Sequence, residues 1–160
     1  MMIWTMKLTK RKLAVALVAA GLLLCGIIVL VGSRGGGEVD AVGGMSVQTK
    51  GISDNDTRLA FLSSFGWDVK SEALESREVL IPKEWDAVFV RYNELQLAQG
   101  FDLTKYKGKY AMRYTYEIAN YPGGLEGVRV NMLIYKNRVI GGDVESPALD
   151  GFMHGFAMPQ

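Results

Sequence analysis

The sequence predicts an α+β fold: an N-terminal transmembrane helix, then a small domain in which an antiparallel β-meander packs on one long helix, with a short helix ahead of it. Three observations predict this. Residues 13–31 form an uncharged apolar run. Residues 82–98 carry apolar side chains at steps of three and four, the period of a helix. Residues 110–140 hold three stretches of period-two alternation separated by short turns, and strands joined that closely run antiparallel.

The apolar run, LAVALVAAGLLLCGIIVLV, is 19 residues long. A bilayer core of about 30 Å takes roughly 20 residues at about 1.5 Å each. A soluble helix of this length would show a polar stripe, and a secretory h-region is shorter, at about 7–15 residues. The segment therefore reads as a retained anchor. Lys7, Lys10, Arg11 and Lys12 precede it and only Arg34 closely follows. That bias places residues 1–12 in the cytoplasm as a basic segment and the remainder of the chain outside. The single cysteine, Cys25, follows Leu24, and the apolar run continues past it to Val31. It reads as a bilayer-buried side chain rather than a lipid-attachment site. Val31-Gly-Ser33 and Val39-Asp-Ala41 leave cleavage by a general signal peptidase open as an alternative.

Residues 32–53 are expected to be a linker. Seven of these 22 residues are Gly, a composition that gives a flexible coil spanning roughly 25 Å. Residues 54–160 then form the extracytoplasmic domain, long enough for one modest core. With Cys25 the only cysteine, this domain has no disulfide and no thiol chemistry. All five basic residues of positions 1–34 lie where no acid does, which leaves residues 35–160 with 13 basic and 17 acidic residues, a net of −4. Nucleic-acid binding needs clustered Lys and Arg, and the one cluster here, Lys105, Lys107 and Lys109, reads as a solvated loop.

Within the domain, Asp54, Asp56 and Thr57 offer N-cap chemistry for a short helix through Leu59, Phe61, Leu62 and Phe65. Gly66 is expected to end it in the left-handed region. Trp67 and Val69 begin a strand, residues 70–76 turn, and Glu78–Ile81 read as a short buried strand. Pro82 is placed at the first position of the long helix, where proline is tolerated. Trp85, Val88, Phe89, Tyr92, Leu95 and Ala98 form the stripe expected to face the sheet. In the first meander strand Tyr110, Met112, Tyr114, Tyr116 and Ile118 share one face, read as the core side. Residues 120–124 turn through proline and glycine, and Val128, Val130, Met132 and Ile134 make the second strand. Lys136-Asn137 is a tight connection. The third strand starts at Arg138, is bent or bulged by Gly141-Gly142, and is the expected free edge of the sheet. Residues 147–160 are expected to form a short helix or an apolar tail through Leu149, Phe152, Met153 and Phe156.

FLSSFGWDV, VLIPKEW, YNELQLAQGFDLTKYKGK, RYTYEIANYP, LIYKNRVIGGDV and GFMHGF follow one another in this order. Together they resemble an uncharacterised family of single-pass membrane proteins from clostridia and related Gram-positive bacteria, the domain of unknown function family 4830. The resemblance spans roughly residues 56–156. It implies a bacterial origin and an extracytoplasmic location, and carries over no activity and no functional residue.

Chemistry-bearing residues are few. His154 is the one histidine. It reads as an ordinary surface residue of the tail, because zinc needs several His or Cys ligands and a catalytic triad needs an oriented base. Asp143 and Glu145 share a strand face with Asp150 nearby, and a solvated strand end is the expected reading. Paired carboxylates also serve glycosidases and weak calcium sites. The glycine runs match no phosphate loop. Asn55-Asp-Thr57 is a glycosylation sequon only in a eukaryotic secretory context. No cofactor and no metal are expected. The expected role is a non-enzymatic binding or interaction module, tethered to the bilayer in the cell envelope, whose partner is an envelope protein, peptide or wall component. Arg138 marks the strand expected to capture it, and Asp143, Glu145, Asp150 and His154 the surface around it. The competing expectations are a small wall-directed hydrolase using Asp143, Glu145 or Glu117, and a structural subunit of an envelope or sporulation complex.

Overall fold

The computed structural model describes residues 39–42 and 44–159. The basic segment 1–12, the expected span 13–31 with Cys25, and the first part of the linker lie outside the described residues. Among those described, no helix is long and apolar enough to cross a membrane.

In chain order the elements are β1 (Val39–Val42), β2 (Met45–Gln48), α1 (Asn55–Ser63), β3 (Glu75–Leu80), α2 (Ala87–Ala98), a 3-10 turn (Leu103–Tyr106), β4 (Tyr110–Glu117), a second 3-10 turn (Pro122–Gly124), β5 (Arg129–Tyr135), β6 (Arg138–Glu145) and β7 (Met153–His154). β1 and β2 form a two-stranded antiparallel hairpin. The other five strands form one antiparallel sheet in the order β3-β4-β5-β6-β7. The α+β meander with two helices is the fold the sequence predicts.

Several details differ, each for a physical reason. Residues 39–53, glycine-rich and read as linker, carry the hairpin and a docked extension. Val42 and Val47 are buried in the core, Val139 N donates to Thr49 O at 2.9 Å, and Ile52 N donates to Asn137 O at 2.9 Å. Sparse apolar residues at alternate positions suffice to bury one hairpin face, and glycine content hides them. Pro82 does not open the long helix. Asp86 is its N-cap and accepts from Phe89 N at 2.8 Å. An aspartate cap takes an otherwise orphaned backbone donor, which proline only avoids. α1 starts where the sequence predicts: Asp54 accepts from Thr57 N and the Thr57 hydroxyl accepts from Asp54 N, a capping box. Gly66 has φ of 87° just beyond it. Trp67 and Val69 form no full strand; Val69 makes a single bridge to Ile118.

Both faces of the sheet are covered. On one face α1, Trp67 and the chain end pack against Tyr116, Ile118, Val130, Met132, Val139 and Val144. On the other, α2 and the first 3-10 turn pack through Phe89, Tyr92 and Leu103 against Ala111, Leu133 and Ile140. The larger core is thus on the α1 face, although the longer apolar pattern belongs to α2. Tyr116 is fully buried there, Tyr114 is partly buried beneath Arg58, and Tyr110 is exposed. The tail is neither helix nor loose segment. It pairs as β7 with Val144 and Glu145, then inserts Phe156, fully buried among Phe61, Phe65 and Phe101. Lys136 and Asn137, both at positive φ, make the β5–β6 turn, the backbone a tight hairpin needs.

Candidate functional site

Two features of the sheet bear on function: a polar row across the α2 face, and the strand edges. The row follows from register. Glu75, Thr115, Asn131 and Asp143 lie opposite one another on β3, β4, β5 and β6. Asn131 links them. Its carbonyl accepts from the Thr115 hydroxyl at 2.7 Å, and its amide donates to Asp143 Oδ2 at 2.9 Å and to Glu145 Oε1 at 3.0 Å. Tyr92, reaching down from α2, donates to Asp143 Oδ1 at 2.8 Å. Arg113 donates to Glu75 at 2.5 Å. In the next row Glu117, Arg129 and Glu145 are opposed, and Glu117 pairs with Lys70 at 2.8 Å.

Asp143 is 3% exposed. Burial pushes its carboxyl above the ordinary aspartate range; the bonds from Asn131 and Tyr92 pull it back, and the Glu145 charge pushes it up again. Burial, and then the Asp143 charge, raise Tyr92 well above an ordinary tyrosine. Glu75, by contrast, is held below the ordinary glutamate range by the Arg113 guanidinium.

The residues singled out from sequence separate into three places. Asp143 and Glu145 do come together, with Glu117 in the adjacent row. They form a hydrogen-bonded cluster rather than a solvated strand end, because α2 and Tyr92 cover Asp143. Asp150 is exposed in the turn before β7, where Gly151 N donates to Ala148 O, and stands apart from them. His154 is no tail residue. It lies in β7, stacked on Phe152 with ring centroids 5.5 Å apart, beside Trp67 and Tyr121. Its Nδ1 donates to Gly155 O at 2.7 Å and its Nε2 is 3.1 Å from the Tyr121 hydroxyl. Among the described residues no cluster of His, Cys, Asp and Glu is placed to hold a metal ion.

Arg138 opens a strand whose edge is closed. Its guanidinium pairs with Asp40 at 2.9 Å, and its backbone is bridged by Lys50. β7 covers the far end of β6. Between them α2 supplies side-chain amides in place of a strand: Gln96 Oε1 accepts from Gly142 N at 2.8 Å, and Gln99 Nε2 donates to Gly142 O at 3.0 Å. Gln99 Oε1 then accepts from Phe156 N at 2.7 Å. Gly141 and Gly142 permit this approach. A Cβ on Gly141 would meet Gln96 Oε1, and one on Gly142 would strike the Phe156 ring and the Asn131 carbonyl. The bulge falls at Ile140, where the β5 register shifts between Leu133 and Ile134.

The open edge is β3. It ends the sheet, and among the described residues no strand lies beyond it. Ile81 N donates to Lys109 O, so alternation turns the backbone groups of Glu75, Arg77 and Val79 to β4 and those of Ser76, Glu78 and Leu80 outward. Arg77 and Glu78 are exposed along it, the charged guard typical of a managed edge.

Sequence reasoning missed Asn93, Gln96 and Gln99, all buried. Their spacing of three on one helix face is the only signal, and amides at that spacing ordinarily read as a solvated stripe. The fold and these sites define a small α+β domain with a five-stranded antiparallel sheet, one edge sealed and one open. The family model described as Domain of unknown function (DUF4830) matches residues 61–144. The chain belongs to that family, and the match runs from within α1 to the end of β6 apart from its last residue. No curated protein and no solved structure matches the chain.

Proposed function

We propose that this chain is a non-enzymatic interaction module of the bacterial cell envelope, in clostridia or related Gram-positive bacteria. Residues 13–31 hold it to the cytoplasmic membrane as a single span, with its N-terminus inside and its α+β domain outside. The domain captures an extended segment of an envelope protein or peptide at β3. One observation carries this reading: among the described residues the outward backbone groups of Ser76, Glu78 and Leu80 stand unpaired, while the edge of β6 is occupied by Lys50, the α2 amides and β7. An extended peptide gains main-chain hydrogen bonds at such an edge, and alternate side chains give specificity. Leu80, 48% exposed, offers an apolar contact beside it. The burial of Asp143 beneath Tyr92 weighs for this reading over wall hydrolysis, since a catalytic carboxylate must reach its substrate.

The test is crosslinking in living cells with full-length protein tagged at the C-terminus, followed by identification of adducts by mass spectrometry. One dominant protein adduct is expected, and its loss in Glu78→Pro. The Glu78 N–H points away from β4, so proline there removes a capture bond and no internal one. Circular dichroism establishes that the variant is folded. Undiminished capture by a folded Glu78→Pro variant removes β3 as the site. Wall fragments as the main adduct, with release abolished in Asp143→Ala, overturn the interaction reading.

A further inference from the structure

Among the described residues nothing covers the outward face of α2, and its composition is self-complementary. Asn93, Gln96 and Gln99 are buried, Asn93 against the first 3-10 turn and the two glutamines against β6. At 100° per residue the opposite face carries a central line of Ala87, Arg91, Glu94 and Ala98, all exposed. Val88 and Leu95 flank it on one side, Val90 and Leu97 on the other. Val88 is 76% exposed and Leu97 52%. Arg91 and Glu94 take no part in any ion pair among the described residues. A surface helix normally turns its charged side to water; here both flanks of the outer face are apolar.

We infer that α2 docks against α2 of a second copy of this chain, antiparallel, about a two-fold axis between Tyr92 and Asn93. A two-fold contact uses the same patch on both subunits and must be complementary to itself. The sequence AVFVRYNELQLA meets that condition. Centred between Tyr92 and Asn93, Arg91 comes level with the second copy's Glu94, and Ala87 with its Ala98. Along the flanks Val88 approaches the second copy's Leu95, and Val90 its Leu97. Two opposite-charge pairs lie at the middle, apolar pairs beside them, and small residues at the ends, where two helices can approach closely. The groove beside Val88, lined also by Phe89, Tyr92, Leu95 and Met153 and about 510 Å³ in volume, leaves room for the second copy's flanking side chains. An unrelated acidic or basic partner would satisfy only one of the two charges; a second copy satisfies both. The inference is independent of capture at β3.

The test uses full-length protein in detergent and measures mass by sedimentation across a concentration series. Wild type is expected to move from monomer to dimer. Arg91→Glu alone, or Glu94→Arg alone, creates two like-charge pairs per dimer and is expected to weaken association about 10-fold or more. Mixed in equal amounts, the two variants are expected to associate with each other, because each then supplies the charge the other lacks. A monomer at every concentration overturns the inference. So does a dimer that both variants form alone as readily as wild type, which would place the contact elsewhere in the chain.

Discussion

The two faces of the central sheet are built from different materials. On the α1 face the contacts are almost wholly apolar: Phe156, Tyr116, Leu62, Val130 and Met132 are buried side chains in one cluster. On the α2 face the helix is held by Phe89 and Tyr92 together with three buried amides. Tyr92 bonds Asp143, Gln96 and Gln99 bond the Gly142 backbone, and Asn93 accepts from Leu103 N, while Thr115, Asn131 and Asp143 form a buried polar row in the sheet. On that face Gln96 Nε2 and Arg113 Nε are buried donors without a hydrogen-bond partner among the described residues. Apolar burial is non-directional and sets stability. Hydrogen-bonded amides cost more to leave unmade than they gain, so they contribute less energy and more geometry. The α1 face keeps the domain folded. The α2 face fixes where the helix sits, and with it which edge of the sheet is sealed.

That contrast can be broken most directly at Phe156. Phe156→Ala removes a fully buried ring from among three phenylalanines and is expected to cost about 3–5 kcal/mol, read as a lower urea midpoint. A smaller loss would mean that the chain end is not part of the main core.

Gln99→Leu is the matching change on the α2 face. It keeps the volume roughly and leaves Gly142 O and Phe156 N, two buried backbone groups, without the partner they have now. About 2–4 kcal/mol is expected for the pair. The sharper readout is hydrogen exchange: the Phe156 amide should lose protection while amides of β4 keep theirs. Uniform loss of protection would show that the amide contributes stability alone and does not seal the β6 edge.

Tyr92→Phe is expected to have the smallest effect, about 1.5 kcal/mol at neutral pH, and a particular pH dependence. Tyr92 donates to Asp143, and losing it moves the Asp143 carboxyl further above its ordinary range. A carboxyl whose folded-state pKa is raised contributes stability below its unfolded pKa and loses it as pH rises through the folded value. The deficit of Tyr92→Phe relative to wild type should therefore be largest near neutrality and shrink as acid protonates Asp143. A deficit independent of pH would mean that Tyr92 acts only through packing of its ring.

How much of this was legible in the sequence depends on the range of the interaction. Alternation placed β4, β5 and β6 because a strand's period is set by its own backbone. Asp54 and Thr57 announce the start of α1 because a cap is local, while Asp86 reads equally as a first-turn residue behind Pro82 or as the cap itself, since either residue can open a helix. The hairpin at residues 39–48 was obscured by surrounding glycines. Asp143 and Glu145 read from sequence as neighbours on one strand face. Their link through Asn131 requires the β5–β6 register, which the bulge at Ile140 shifts by one residue.

By itself, the sequence determined the α+β class, the antiparallel meander, the turn at Lys136-Asn137 and the small set of residues able to carry chemistry. These depend on periodicity, caps and turn angles within a few neighbouring residues. Only the tertiary structure decided which face holds the main core, that Phe156 and His154 are built into the domain, and that the edge beginning at Arg138 is closed while β3 is open. Each of those rests on groups far apart in the chain: Gln96 and Gln99 with Gly142, Lys50 with Arg138, Trp67 with Phe156. An amide reads as polar wherever it stands in a sequence, and only the fold shows whether water or a strand edge answers it.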